Sequence, residues 1–318
     1  MMASGVRLRG SVLRALRWVA VVGAAMLASC GGGTTQQQVF TPGRVIAFGD
    51  EASVLTSSGR KYSVNGLTTD GAIDCGSQPL WIQTVASTYN FGFAQCSPTG
   101  TTATNAFTRA AAGARIADLR TQIDAQVADG GFRNTDLVLM LAGVNDVFEL
   151  YAQFPQRSEA SLIEEARSRG DRYAEQVNRA VNAGARVIVV TVPDVGLSPL
   201  AVAQKAANTD TDRAALITRL VAAINGRLRT GIINDGRVVG LVLADEMVQV
   251  MVRVPGAFGL ADVTSAVCTT ALPNCTTSTL VSGSSAGSHL WADQRWMSAP
   301  GQSRLGLLAQ QRALNNPF

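Results

Sequence analysis

The sequence predicts an α/β domain in which helices cover both faces of a central parallel sheet, a flavodoxin-like three-layer α/β/α sandwich. Two observations predict it. Short apolar runs alternate with longer segments in which apolar residues recur at helical spacing. Hydrophobic residues make up 47% of the chain, enough for a sizeable single core, and no linker divides the sequence beyond residue 44.

Continuous apolar runs are typical of strands that are buried on both faces of a parallel sheet. The sequence predicts such strands over residues 45–48, 137–141, 187–192 and 238–243. Helical periodicity predicts helices over residues 78–89, 116–128, 160–182, 210–229 and 301–313. Ligands of such folds bind at the C-terminal ends of the strands. We therefore expect residues 49–53, 143–146 and 192–197 to share one edge of the sheet.

The N-terminal segment is typical of a signal peptide. Arginines at positions 7, 9, 14 and 17 precede an apolar run over residues 18–28, which is too short to span a bilayer. The run ends in Leu27-Ala28-Ser29-Cys30, which resembles the bacterial lipobox and implies lipidation of Cys30. An ordinary signal peptide with an incidental cysteine is the alternative. We predict a signal peptide over 1–30, a flexible tether over 31–43 and a folded domain over 44–318.

Loss of the signal peptide changes the charge balance. It removes four of the 27 basic residues, which leaves 23 against 23 acidic residues. A neutral domain gives no support for nucleic-acid binding. We expect a monomer that is held in the cell envelope by its lipid anchor. The outer membrane is favoured because Gly31, rather than the aspartate of an inner-membrane retention signal, follows Cys30.

Four cysteines follow Cys30, an even number in a chain predicted to be exported. Cys268 and Cys275 bracket a short loop that contains proline, so we expect them to pair and leave Cys75 and Cys96 for a second bridge. Other pairings remain open. A zinc site is not expected, because the chain has one histidine and no Cys-x-x-Cys pair. No cofactor is implied.

Six segments carry a resemblance to a known family. They are Phe48-Gly49-Asp50, Ala110-Ala111-Ala112-Gly113-Ala114, Gly143-Val144-Asn145-Asp146, and residues 191–199, 245–268 and 290–296. In this order they resemble the blocks of SGNH, or GDSL, esterases and lipases, across essentially the whole predicted domain. The resemblance implies an oxyanion hole formed by the Gly113 amide and the Asn145 side chain, and a terminal Asp-x-x-His block that begins at Asp293.

Two positions depart from the family pattern. Glu51 occupies the position of the serine nucleophile, and Trp296 occupies the position of the histidine base. Acyl transfer by this route needs a hydroxyl beside an imidazole, because an alcohol is a poor nucleophile until a base accepts its proton. The pattern therefore favours a pseudo-hydrolase whose cleft binds an ester, acyl or glycan ligand. An active esterase with an atypical catalytic set and a structural envelope lipoprotein are the alternatives.

We expect the Glu51 carboxylate to fill the oxyanion hole at the N-terminus of a following helix, with exposure to solvent as the competing hypothesis. Arg109 and Arg295 are candidate counter-ions for Glu51 and Asp293. A glycosidase-like pair of these two acids is the less favoured interpretation.

Two other residues could restore a catalytic set. Ser53, in the first turn of that helix, could be a shifted nucleophile, but we expect it to cap or pack locally. His289, the one histidine, could be a replacement base, but its offset from Asp293 favours a structural role.

Overall fold

The structure is a computed structural model that describes Met2 and residues 40–96 and 104–315. The predicted signal peptide, the lipidation candidate Cys30 and residues 31–39 of the predicted tether lie outside these residues. Phe40, the first residue of the continuous described part, is buried, and the Arg186 guanidinium lies 3.9 Å from its ring centroid.

The described residues form nine strands, β1 (Arg44–Gly49), β2 (Gly66–Leu67), β3 (Ile73–Asp74), β4 (Ala106–Thr108), β5 (Asp136–Leu141), β6 (Arg186–Val190), β7 (Val239–Val242), β8 (Asp262–Ala266) and β9 (His289–Trp291). Five of them form the central parallel sheet in the order β4-β1-β5-β6-β7. Counted along the chain this order is 2-1-3-4-5, the flavodoxin-like arrangement. The predicted fold class and all four predicted strands are confirmed.

Eight α-helices connect and follow these strands in the described residues, α1 (Trp81–Ser87), α2 (Asp118–Ala128), α3 (Val144–Tyr151), α4 (Glu159–Asn182), α5 (Pro199–Ala207), α6 (Arg213–Gly231), α7 (Ala244–Arg253) and α8 (Ala299–Asn315). All five predicted helices are present, with ends that differ by a few residues. Helices α2, α4 and α6 form one layer, and α1 and α8 pack together in the other. The short helices α3, α5 and α7 were not predicted.

The segment after β1 differs from the expectation of a helix. Residues Glu51–Ser53 form a single 3-10 turn, and the chain continues in extended conformation at Val54. Ser53 therefore does not lie on an α-helix. The expected helix dipole at Glu51 is also missing, because a turn of three residues does not align enough peptide units to build one.

Both predicted disulfides are present, Cys75–Cys96 and Cys268–Cys275. Two buried side chains hold the loops that contain them. The Lys61 ammonium donates to the carbonyl oxygens of Ser77 at 2.5 Å, Gln78 at 3.1 Å and Cys75 at 3.2 Å. Burial lowers the pKa of Lys61 to about 8, although nearby Asp74 opposes the shift. Asn65, four residues after Lys61, donates to the carbonyl oxygen of Cys275 at 2.8 Å, so the segment that holds both side chains contacts both loops.

The strands β2 and β3 form a small antiparallel ladder, and β8 and β9 form a parallel one. After β9 the chain continues into residues 292–298, which contain Asp293 and Trp296. None of the helices in the described residues is long and apolar enough to cross a membrane.

Candidate active site

The site begins where β1 ends at Gly49. This residue has φ +136°, and a Cβ added to it would lie 1.7 Å from the carbonyl oxygen of Leu141, so only glycine fits between β1 and β5. The Gln122 side chain fixes the glycine by accepting from its N–H at 2.8 Å and donating to its carbonyl oxygen at 2.9 Å. The chain is thus directed over the C-terminal edge of the sheet, which places Glu51 there.

The Glu51 carboxylate contacts both predicted oxyanion donors. The Gly113 N–H donates to Oε1 at 2.8 Å, and the Asn145 side-chain amide donates to Oε2 at 2.8 Å. Glu51 is only 8% exposed, so the carboxylate points into the protein and not into solvent. The contacts required by the hypothesis of a filled oxyanion hole are present.

The two donors are held in place by their own segments. Gly113 has φ +77°, a left-handed conformation that favours glycine. Asn145 lies in the first turn of α3 and also donates to the Ala114 carbonyl oxygen at 2.9 Å. Its neighbour Asp146 accepts from the Ile116 N–H at 2.8 Å. These bonds connect the segment after Ala110 to α3, so the donors keep their spacing.

Asp50 caps the turn Glu51–Ser53. It is fully buried, its Oδ1 accepts from the Ala52 N–H at 3.2 Å, and its Oδ2 has no hydrogen-bond partner. Burial, and then the charge of Glu51, raise the pKa of Asp50 well above its usual value. The raised pKa disfavours a second negative charge beside the Glu51 carboxylate.

Asp293 and Trp296 occupy the opposite side of the site. Asp293 Oδ1 accepts from the backbone N–H groups of Arg295 at 2.8 Å and Trp296 at 2.7 Å, which forms a tight turn. Burial raises the pKa of Asp293 above its usual value. The Trp296 side chain is buried, in the position where the resemblance implies an imidazole.

A small cavity lies beside Trp296. Trp296, Trp291, Ala52, Val144 and the neighbouring side chains enclose a cavity of about 10 Å³. A cavity of this size holds one water molecule at most. None of Glu51, Gly113, Asn145 and Asp293 lines this cavity, so the binding of a ligand over these residues stays a prediction.

Neither predicted counter-ion forms an ion pair with Glu51 or Asp293 in the described residues, although the charge of Arg295 partly opposes the rise in the pKa of Asp293. Arg109 instead binds Asp129, with an Nη2 to Oδ2 distance of 2.6 Å. The Arg295 guanidinium lies 4.7 Å from the ring centroid of Phe148. Within residues 40–96 and 104–315, no ion pair joins an arginine to Glu51 or Asp293. Glu51 is thus held by amides rather than by a cation.

Ser53 cannot act as a shifted nucleophile in this structure. Its hydroxyl is fully buried and accepts from the Trp81 indole N–H at 3.0 Å. No imidazole lies beside it, because the one histidine bonds elsewhere. Its role is to anchor α1 to the turn that carries Glu51.

A contact that the sequence analysis missed involves His289. The Ser288 hydroxyl lies 2.8 Å from His289 Nδ1, and Asp262 Oδ2 lies 3.8 Å from Nε2. The group belongs to the β8–β9 ladder and not to the five-stranded sheet. The Ser288 hydroxyl also accepts from the Ser285 N–H at 3.0 Å and lies 2.8 Å from the Ser285 carbonyl oxygen, as part of a closed turn. Adjacent serine and histidine in the sequence were the available signal; Asp262 comes from a distant strand.

The strand order and the meeting of the first, second, third and last blocks at one sheet edge agree with the resemblance. The chain has a three-layer α/β/α fold with the flavodoxin-like strand order. Two solved structures similar to it are catalytic mutants of an acetylxylan esterase from Geobacillus stearothermophilus. The sequence of the first is 15% identical to this chain, and the TM-score is 0.39; the match covers 88% of this chain and 97% of the esterase chain. The sequence of the second is 14% identical, with a TM-score of 0.39; the match covers 87% of this chain and 97% of the esterase chain. No family model and no curated protein matches the chain in sequence.

Proposed function

We propose that this chain is a pseudo-hydrolase, a domain with an SGNH-like fold that does not cleave esters. The observation that carries the proposal is the pair of 2.8 Å contacts from the Gly113 amide and the Asn145 side chain to the Glu51 carboxylate. Both groups that would stabilise an oxyanion are engaged by a side chain of the protein itself.

The chemistry of acyl transfer explains why this arrangement is inactive. The carbonyl oxygen of an ester gains negative charge in the transition state and needs preorganised donors at that moment. Here it would have to displace a carboxylate whose charge repels it. Removal of one such donor costs about 10²–10³-fold in rate in related chemistry. The site also lacks a base, because Trp296 occupies the position implied for the histidine.

The proposal includes the binding of a ligand that is not cleaved. The cavity beside Trp296, of about 10 Å³, is too small for an ester or sugar, so such a ligand would lie over the exposed segment around Gly113. The signal-peptide and lipobox patterns favour a lipid-anchored protein of the cell envelope, held through Cys30, in which the domain has a binding or structural role.

A second candidate is residual esterase activity at Ser288. Its hydroxyl is within hydrogen-bond distance of His289, and Asp262 faces the other ring nitrogen, a set of residue types that can activate a hydroxyl. The hydroxyl is, however, bonded within its own turn to Ser285. The pseudo-hydrolase therefore remains the function that the geometry supports best.

Hydrolysis of p-nitrophenyl acetate by the purified protein separates these possibilities. We expect a rate no higher than that of a protein-free control, and no change in the Asn145→Ala variant, because the Asn145 amide already binds Glu51. Measurable hydrolysis that is lost in Asn145→Ala would overturn the proposal. Hydrolysis that is lost only in Ser288→Ala would establish the second candidate instead.

A further inference from the structure

A groove of about 580 Å³ lies between α7 and α8. Its floor is the C-terminal end of the edge strand β7, at Leu241, and it shares no lining residue with the small cavity beside Trp296. A volume of this size is in the range of small-molecule sites. The groove is thus a second concave feature, separate from the cavity beside Trp296.

The walls of the groove are two helical stripes. From α7, Met247 and Val250 line it, and from α8 Leu308 lines it together with polar residues at helical spacing. Phe258 closes one end. Within the groove Val250 is 45% exposed, and outside its lining Leu307 of α8 is 43% exposed. Exposed apolar residues gathered along one groove mark a binding surface more often than isolated ones do.

Two arginines give the groove its charge. Arg304 lies over the Phe258 ring at 5.7 Å from its centroid, and Arg312 Nε donates to the Leu241 carbonyl oxygen at 2.9 Å. Neither arginine forms an ion pair with a carboxylate in the part of the chain that the structure describes. The one acid of the lining, Glu246, binds Arg229 outside the groove at 3.2 Å. The two guanidinium groups are thus available to an anion.

The spacing of these groups sets the shape of the ligand. Arg304 and Arg312 are eight residues apart on α8, which places their Cα atoms about 12 Å apart along the helix. On α8 Leu308 lies between them, and Met247 and Val250 of α7 also line the groove. A ligand that satisfies this surface needs an extended apolar chain with an anionic group at one end.

We propose that the groove between α7 and α8 binds a single-chain amphiphile with an anionic head, either a carboxylate or a phosphate. The apolar chain lies along Leu308 and Val250, and a guanidinium binds the head. Arginine suits this role, since it forms charge-assisted bonds with both kinds of oxyanion. This site is independent of the proposed inactivity at Glu51.

Calorimetric titration of the purified protein, below the micelle-forming concentration of each ligand, tests the proposal. The probes are dodecanoate, dodecyl phosphate, the neutral dodecanol, and acetate and inorganic phosphate as heads without a chain. We expect dodecanoate or dodecyl phosphate to bind at least about tenfold more tightly than dodecanol, which corresponds to roughly 1.4 kcal/mol. The tighter of the two identifies the head group. Equal affinity for dodecanol, or no binding of either anion, overturns the proposal.

Variants assign the binding to this groove. Arg304→Gln with Arg312→Gln is expected to weaken binding of the preferred anion at least about tenfold, and Val250→Asp is expected to abolish it. The matched controls are Arg120→Gln, an exposed arginine of α2, and Val202→Asp, an exposed valine of α5. Unfolding temperatures exclude misfolding. Binding that survives both groove variants, or that falls equally in the controls, contradicts the site.

Discussion

Replacement of Glu51 by serine together with Trp296 by histidine is expected to convert this chain into an esterase. The change removes the carboxylate from Gly113 and Asn145, which frees both donors for an oxyanion. It also places an imidazole three residues after Asp293, in the turn that Asp293 caps, and the smaller ring opens the cavity beside it. We expect hydrolysis of p-nitrophenyl acetate at least about 100-fold above the parent chain, the usual contribution of a positioned general base.

The single variants and a third substitution make this result specific. Glu51→Ser alone and Trp296→His alone are each expected to remain near the background rate, because each still lacks one catalytic group. Adding Asn145→Ala to the double variant should lower the gained rate by about 10²–10³-fold. A double variant that folds and still hydrolyses nothing would show that the pocket is not a silenced hydrolase site.

Lys61→Met is expected to cause a large loss of stability, about 3 kcal/mol or more in the free energy of unfolding. The buried ammonium is the donor for the carbonyl oxygens of Cys75, Ser77 and Gln78, and methionine offers none of them a hydrogen. A buried acceptor that loses its donor costs roughly 1–3 kcal/mol. Urea unfolding followed by circular dichroism measures the change.

The chain provides a matched control in its only other lysine. Lys205 is 61% exposed in its side chain and pairs with Asp212 at the surface. Lys205→Met should change the free energy of unfolding by less than about 1 kcal/mol, as is usual for exposed ion pairs. Equal losses in the two variants would contradict a structural role for the Lys61 contacts.

Much of the fold could be predicted because its strongest signals are local. The runs at β1, β5, β6 and β7 are continuously apolar, and only strands covered on both faces tolerate that pattern. The edge strand β4 has three residues, too few to show a pattern. Helices α3 and α7 begin within a few residues of the ends of β5 and β7, so their apolar residues merge with those of the preceding strands.

The candidate site was predictable in its contacts but not in its shape. The motifs around Gly113 and Asn145 predicted the two hydrogen-bond donors, and the position of Glu51 predicted the carboxylate that accepts from them. The short 3-10 turn at Glu51–Ser53 could not be predicted, because nothing in those residues distinguishes it from the first turn of an α-helix. The closed cavity depends on how Trp296 and Trp291 pack, which is a property of the whole core and not of a motif.

The groove and the group around His289 were beyond prediction for a related reason. Asp262 meets His289 only through the parallel pairing of β8 with β9, two segments whose sequences carry no apolar pattern of strands. The groove exists because α7 and α8 come together beside β7, although α7 was not predicted. Both features arise from tertiary contacts between segments far apart in the chain.

The central claim is that the Glu51 carboxylate occupies the oxyanion donors, and the amide proton resonances of those donors test it most directly. A hydrogen bond to a carboxylate moves an amide proton downfield. In the Glu51→Ala variant, we predict that the Gly113 backbone amide and the Asn145 side-chain amide both shift upfield, while Glu164→Ala, which removes an exposed acid on α4, leaves them in place. Resonances of Gly113 and Asn145 that are unchanged in Glu51→Ala would contradict the account.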